Sequence, residues 1–578
     1  MARIDFSDRM RLAAKRAGGF GRRASVHVVR SSLDHWRHKL SPGRPLVIVP
    51  QELRAADPSF WPEVEEGHFG LNGAFAELDG QTPFRVLPPN VTWARELHGF
   101  AWLRHLEAAG VPSAEAAARR YLADWLELRW TGRDVAAEPA VRARRIISWI
   151  SHAPLLLDGA CEAAFDRFAH ALSRDVRRLA ANWRKAPDDQ GRLLVATALV
   201  FARLAIEGAD RQLPSALDRL DAGISRQILT DGGHISRNPA VLVELLLDWL
   251  PLKSCLEARR IEPSTGLIQA IYRINAMLRF LRHSDGAIAR FNGMGVGDPA
   301  SLATLLAYDD GPVPPFDIAP SSRYARISRE SLTIIADVGA PPPLTASTTA
   351  HAGCLSIEAS AGGELLFCNA GAPTSADAAW RAVARATASH STVCLGEISS
   401  SRLVRHAGLE AKLGAVPLQL PAHVTAEVST VDGDCVLKAS HDGYLERLGL
   451  IHHRMLRLNS DGTALNGRDR LETKGGQGRL KRDVPFALHF HLHPESKCFP
   501  QAEGEGMAAR QSLVIQLPDG QRWLFAASAI PVSVEESLFF AGSSGPRASL
   551  QIVVRGATGG ITEITWSLTR LNPPKRSD

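Results

Sequence analysis

The chain has 578 residues, 45% of them apolar and 22% charged, with a formal net charge of +6. That length exceeds one hydrophobic core and implies two or three domains of ordinary globular composition. No apolar run approaches the roughly 20 residues that a membrane-spanning helix needs, which excludes that class.

The seven cysteines (Cys161, Cys255, Cys354, Cys368, Cys394, Cys435, Cys498) are scattered, with no CxxC pair. They read as reduced, buried thiols rather than as a disulfide framework or a zinc ribbon. The charge is uneven: residues 1–45 hold eleven Lys or Arg against three Asp, so the remainder is close to neutral. Such an arm reads first as a solvated surface segment and second as a peripheral contact for an anionic surface. Dedicated nucleic-acid binding is disfavoured, because no aromatic-rich RNA motif or zinc finger accompanies the arm. The first ten residues lack the apolar core of a secretory signal, so the expected compartment is the cytoplasm. Only a start upstream of Met1 would make the periplasm the expectation.

From about residue 90 to 310 the hydrophobic spacing is helical. Phe100, Trp102, Leu103 and Leu106 open one helix. Ala114–Leu128, Val141–Ile150, Ala163–Trp183, Leu193–Ile206, Ala240–Trp249 and Leu267–Leu281 follow. Short Gly, Pro and Asp turns between them predict antiparallel hairpins. Nine of the twelve tryptophans precede residue 250, as core or as a groove for sugar rings.

Within this half, Asp231-Gly232-Gly233 stops one helix, and Asn238-Pro239 is a cap and first-turn proline for the next. Pro251 is expected to end that second helix. The turn between them displays His234, Ser236, Arg237 and Asn238, a candidate ionisable site. The competing reading is that Asp231 and Asn238 only cap helices.

Composition changes at Asp309-Asp-Gly-Pro-Val-Pro-Pro-Phe316, after which β signals dominate. Leu332–Asp337, Cys354–Glu358, Glu364–Cys368, Ser391–Leu395, His452–Leu458 and Phe486–His493 read as short strands of an antiparallel sandwich. The expected organisation is an arm and lead-in over 1–89, a helical domain over 90–310 and a β-sandwich over 316–578. His489, His491 and His493 alternate and so share a face. Ser440–Tyr444 reads as a turn with an exposed tyrosine, and His351 and His390 precede apolar strands. None of these histidines has the spacing of a zinc motif.

The order of segments resembles that of the heparinase II/III-like polysaccharide lyases. Arg144-Arg-Ile-Ile-Ser-Trp149 is similar to that family's Arg-x-x-Asn-Trp helix. Asp231-Gly-Gly-His-Ile-Ser-Arg-Asn-Pro239 is similar to its Asp-Gly-x-x-x-Glu-x-Ser-Pro segment, and Ser284-Asp-Gly-Ala-Ile-Ala-Arg-Phe-Asn292 to a later Asp-Gly segment. His351-Ala-Gly-Cys-Leu-Ser-Ile-Glu358, Phe367-Cys-Asn-Ala-Gly371 and His390-Ser-Thr-Val393 resemble the His-Ala-Asp, Val-Asp-x-Gly and His-Asn-Thr-Val segments of its sandwich. The resemblance implies an α+β multidomain chain, with an N-terminal incomplete (α/α) toroid followed by a C-terminal antiparallel β-sandwich.

It also implies β-elimination on an acidic, uronate-containing polysaccharide. A base removes the C5 proton, a Tyr or His protonates the departing O4, and cationic or amide groups hold the carboxylate. The candidate catalytic residues are then His234, Asn238 and Tyr272, with Tyr121, Tyr308, Tyr324 and Tyr444 as competing tyrosines. Candidate substrate contacts are Arg237, Arg290 and Tyr444. His351, Asn369 and His390 stand where some members hold zinc through His, Asp and His. Asn brings no charge, so the expectation is a weakened zinc site or, preferably, a metal-free hydrogen-bond network, with no cofactor required. Thr349, Gly353 and Ser236 also stand where the family has His, Asp and Glu. Two alternatives follow: a non-catalytic glycan-binding or envelope-associated protein, and a toroid glycoside hydrolase using Asp231 and Asp285.

Overall fold

The computed structural model describes residues 46–130, 134–308, 311–374, 377–404, 417–474, 483–501, 512–527, 531–542, 545–559 and 562–571. The basic arm of residues 1–45 lies outside the described residues.

The long helices of the first half are α1 (Pro112–Glu127), α2 (Pro139–Ser151), α3 (Glu162–Asn182), α4 (Gln190–Ala205), α5 (Leu213–Gln227), α6 (Pro239–Ala258) and α7 (Thr265–Phe280). Local chemistry sets their starts. α1, α2, α5 and α6 carry proline in the first turn, where its missing N–H costs nothing. α4 and α7 begin at Asp189 and Ser264, whose side chains accept from Gly191 N and Leu267 N. Successive helices pack as hairpins, α4 against α5 and α6 against α7, with α2 against α4.

Trp93, Trp102, Trp149 and Trp249 are fully buried, and Phe100 stacks on Trp102 and meets Trp149 edge-on. These tryptophans are core, not a sugar groove. Pro251 does not end its helix: α6 continues to Ala258. Leu252, Cys255 and Leu256 are buried beyond the proline, and their packing outweighs the one backbone bond it removes.

Strands His68–Leu71 and Ala74–Glu77 form a hairpin in the lead-in. The second half is antiparallel. Tyr324–Arg329, Leu332–Asp337, Ile357–Ala361 and Glu364–Phe367 form one sheet in that order. Val532–Phe539, Arg547–Ala557, Pro485–His491 and Val393–Leu395 form a second. The largest sheet has eight strands, from Val424–Val431 at one edge to Lys497–Pro500 at the other. One apolar core, including Phe367, Leu488, Phe490, Trp523, Phe525 and Trp566, fills the space between these layers.

Buried charge fixes how the layers meet. Arg454 donates through Nε to Asp469 Oδ1 at 2.7 Å and through Nη1 to Leu355 O and Ser391 O at 2.7 and 2.9 Å. His452 Nε2 and Trp566 Nε1 complete the shell around Asp469 at 2.7 and 2.9 Å. Arg454 thus ties the eight-stranded sheet to segments of the other layers.

Candidate functional site

The residues singled out from sequence meet at the seam between the halves. Gly232 has φ of +89°, and a Cβ there would lie 2.0 Å from Arg273 O on α7, so only glycine lets the turn seat on that helix. Asp231 Oδ2 accepts from Ser321 N, Ser322 N and Ser322 Oγ at 2.8, 2.6 and 3.0 Å, and Oδ1 accepts from Gly233 N at 3.0 Å. A carboxylate so fully bonded is a structural anchor. Its nominated glycosidase partner, Asp285, is exposed and accepts from Ala287 N in its own turn.

His234 is buried rather than displayed. Its Nδ1 accepts from Ser236 N at 3.1 Å, which leaves Nε2 to donate to Gln227 Oε1 at 3.0 Å. Burial pushes the imidazole down to about 4. Both ring nitrogens are therefore engaged inside the helical half, which removes His234 as an available base.

Arg237 is likewise not a substrate contact. Its guanidinium crosses the seam and donates to Ser322 O at 2.8 Å, Ala340 O at 3.1 Å and the Asp337 carboxylate. It lies 4.7 Å from the centroid of the Tyr324 ring, whose hydroxyl donates to Arg237 O. Asn292 Nδ2 reaches both Tyr324 Oη and Asp337 Oδ2 at 3.0 Å. Asn238 performs the capping role, accepting from Ala240 N at 3.0 Å, and its Nδ2 faces Thr349 Oγ1 at 3.4 Å. Arg237 thus joins the helical half to the sandwich through a buried, hydrogen-bonded interface, while His234 stays within the helical half.

The two expected tyrosines fall elsewhere. Tyr272 stands on the solvent face of α7, 64% exposed, while its neighbours Ile271 and Ile274 face the core. Tyr444 is fully buried, contrary to the exposed turn expected, and its hydroxyl donates to Val393 O at 2.7 Å. Arg290 lies at the seam with its guanidinium 5.0 Å from the Phe539 ring centroid, and its Nε and Nη1 are buried without a hydrogen bond.

His351 and His390 do converge: His351 Nδ1 lies 3.1 Å from His390 Nε2. Gly353 permits this, because a Cβ there would meet the His390 ring at 2.7 Å. His390 Nδ1 faces Ala386 O at 2.8 Å, so that nitrogen carries the proton and Nε2 accepts from His351. Burial lowers both imidazoles and keeps them neutral. Asn369 does not bridge them. Its Oδ1 accepts from Ser391 N at 3.0 Å, and its Nδ2 is buried without a partner. The free end of Asn369 is therefore a donor, which cannot bind a cation. Two imidazoles and an amide N–H₂ do not fit zinc. Among the described residues no group of three His, Cys, Asp or Glu has a metal-binding arrangement.

One residue of this junction was not singled out from sequence. Glu358 is wholly buried; Oε1 accepts from Asn369 N at 2.7 Å, and Oε2 accepts from Arg290 N at 2.9 Å and pairs with His283 Nε2 at 3.0 Å. Burial raises the carboxyl, but the His283 bond and the other donors outweigh it, so its pKa is lowered. The available signal was a Glu at an inward position of an apolar strand. His489 and His491 share a face, as their alternation implies, and are held by Gln551 at 2.9 Å and Ser537 at 2.8 Å.

A groove of about 450 Å³ lies away from the seam, on the outer face of the eight-stranded sheet, lined by Lys438, His453, Met455, Arg468 and Arg470 among others. Its cations are already matched: Lys438 with Glu427 at 3.5 Å, Arg468 with Glu563 at 3.4 Å and Arg470 with Glu472 at 3.3 Å.

Residues 311–567 match the family model described as "Heparinase II/III-like, C-terminal". Over 562 residues, 95% of each chain, the protein is 30% identical to FtsZ-localized protein C of Caulobacter vibrioides. The chain belongs to the heparinase II/III-like family. Its fold is similar to that of heparinase III, with a TM-score of 0.71 over 100% of this chain and 93% of that one at 11% identity. Heparan sulfate lyase HepC from Pedobacter heparinus aligns with a TM-score of 0.58 at 14% identity, covering 99% and 92% of the two chains. In this heparinase II/III-like chain the incomplete toroid and the layered sandwich are both present. The family's polar segments converge at the seam as a buried network in which most groups are hydrogen-bonded to one another.

Proposed function

We propose that this protein is a lyase-fold binding protein that localises with FtsZ and does not perform β-elimination at its seam. The observation that carries this reading is the state of its tyrosines. Elimination needs a phenolic or imidazole group free to exchange a proton at a substrate. Three of the five tyrosines are buried and the other two are exposed to solvent. Tyr324 and Tyr444 are buried donors to backbone carbonyls, Tyr121 is buried in the helical core, and Tyr272 and Tyr308 are 64% and 52% exposed. The Caulobacter relative, named for its localisation with FtsZ, supports the second half of the reading. The basic arm of residues 1–45 supports a peripheral contact with an anionic surface, which would hold the protein where it assembles.

Elimination on a uronate-containing glycan is the competing reading, favoured by the retention of His351 and His390 at family positions. One pair of measurements separates the two. The purified protein is incubated with a panel of acidic glycans and followed by the ultraviolet absorbance of unsaturated uronate, and a fluorescent fusion is imaged together with FtsZ. The expected result is no absorbance change and co-localisation with FtsZ. Turnover that disappears in His351→Ala, with the fusion spread through the cell, would overturn the proposal.

A further inference from the structure

We propose that the junction of α2 and α3, on the helical half and apart from the seam, is a binding site for a phosphate or sulfate group. The argument begins with Asp175 on α3. Arg145 Nε and Nη2 both donate to its Oδ2, at 2.9 and 2.6 Å, while Arg145 Nη1 donates to His98 O and its guanidinium lies 4.6 Å from the Trp125 ring centroid. Both of these bonds fall on the one oxygen, Oδ2.

Three further arginines belong to the same charged cluster. Arg142, 8% exposed, has Nε 3.5 Å from Asp175 Oδ1 and no hydrogen bond at that atom. Arg174 adjoins Asp175 in sequence, is half-buried, and its Nε is buried without a hydrogen bond. Arg178 stands one turn further along α3. Burial pushes Arg142 down to about 10; Asp175 opposes this, and Arg145, Arg178 and Arg174 add to the depression. Burial lowers Arg174 as well. Glu138, at the head of α2, is taken by Arg95 through two bonds of 2.8 and 3.1 Å.

Like charges gathered at a half-buried site destabilise it unless an anion is present, because little water is there to screen them. Guanidinium forks match the paired oxygens of a tetrahedral oxyanion, and their unused N–H groups are what such a ligand would fill. Two sources share that chemistry: a free phosphate or sulfate ester, and a phospholipid headgroup.

The test uses the full-length protein and the double variant Arg174→Gln/Arg178→Gln, which leaves the Arg145–Asp175 pair intact. Titration calorimetry with inorganic phosphate, repeated with sulfate, should give one saturable site per chain. In the variant the Kd should rise at least about tenfold. In phosphate-free buffer the variant should melt no lower than the parent, since it loses repulsion, and in phosphate the parent should melt higher. A parent that binds neither anion, or a variant that binds both as tightly as the parent, would overturn the proposal. Co-sedimentation with phosphatidylglycerol vesicles then separates the sources. Binding weakened in the variant identifies a headgroup, whereas equal binding by the two proteins assigns the site to the free ester.

Discussion

Arg237 shows most clearly how a polar residue on a turn can serve cohesion instead of chemistry. It is buried with its carboxylate partner, Asp337, on the other half of the molecule, and its backbone holds φ of +56°. Arg237→Ala would leave Asp337 buried with Asn292 and Gly339 N as its remaining donors. The expected loss is about 3–5 kcal/mol in denaturant unfolding, with a separate early transition of one half. A loss below about 1 kcal/mol would mean that the contact does not hold the halves together. His234 gives a prediction in pH. Its folded value is about 4 against an ordinary 6.5, so the unfolded chain takes up the proton first. Its contribution to stability is complete above about pH 6.5 and declines as pH falls toward 4. His234→Gln should therefore flatten the dependence of Tm on pH across that window; an unchanged slope would refute the assignment.

Among the elements, the turn before α6 illustrates a backbone requirement hidden behind an ordinary pattern. Asp231-Gly232-Gly233 reads as a helix stop from sequence, but the need for glycine at 232 comes from Arg273 O on α7. Gly232→Ala should cost at least about 2 kcal/mol through strain and displacement of α7, measurable as a lowered Tm. Tyr272→Ala, on the outer face of that helix, should change stability by no more than about 0.5 kcal/mol. Pro251 teaches the complementary lesson. A proline predicts a helix end, yet apolar residues on both sides keep α6 continuous because they bury against the core.

For the molecule as a whole, the His351–His390 pair invites a metal test. Protein purified without chelator should contain well under one zinc per chain, and its Tm should not move on adding a chelator. Stoichiometric zinc lost in His351→Ala would mean that Asn369 turns its oxygen toward the site, against the bond it makes to Ser391 N. The Arg237 N–H groups, and the Asp231 and Glu358 carboxylate oxygens that accept from neighbouring donors, hold the halves together and are unavailable to a substrate.

The sequence by itself determined the succession of a helical half and a β half, the composition break near residue 311 and the family's motif positions. These depend on hydrophobic period, capping residues and proline, which act within a few residues along the chain. It also offered Asn238 as a cap for α6, and the family resemblance put His351, Asn369 and His390 together, of which the two histidines meet. Whether a polar side chain is free or spent was decided only by tertiary structure. Gln227 lies seven residues from His234, Asp337 a hundred from Arg237, and His283 seventy-five from Glu358. No local pattern encodes such partners, because each bond forms only when separate elements pack and exclude water from the groups between them.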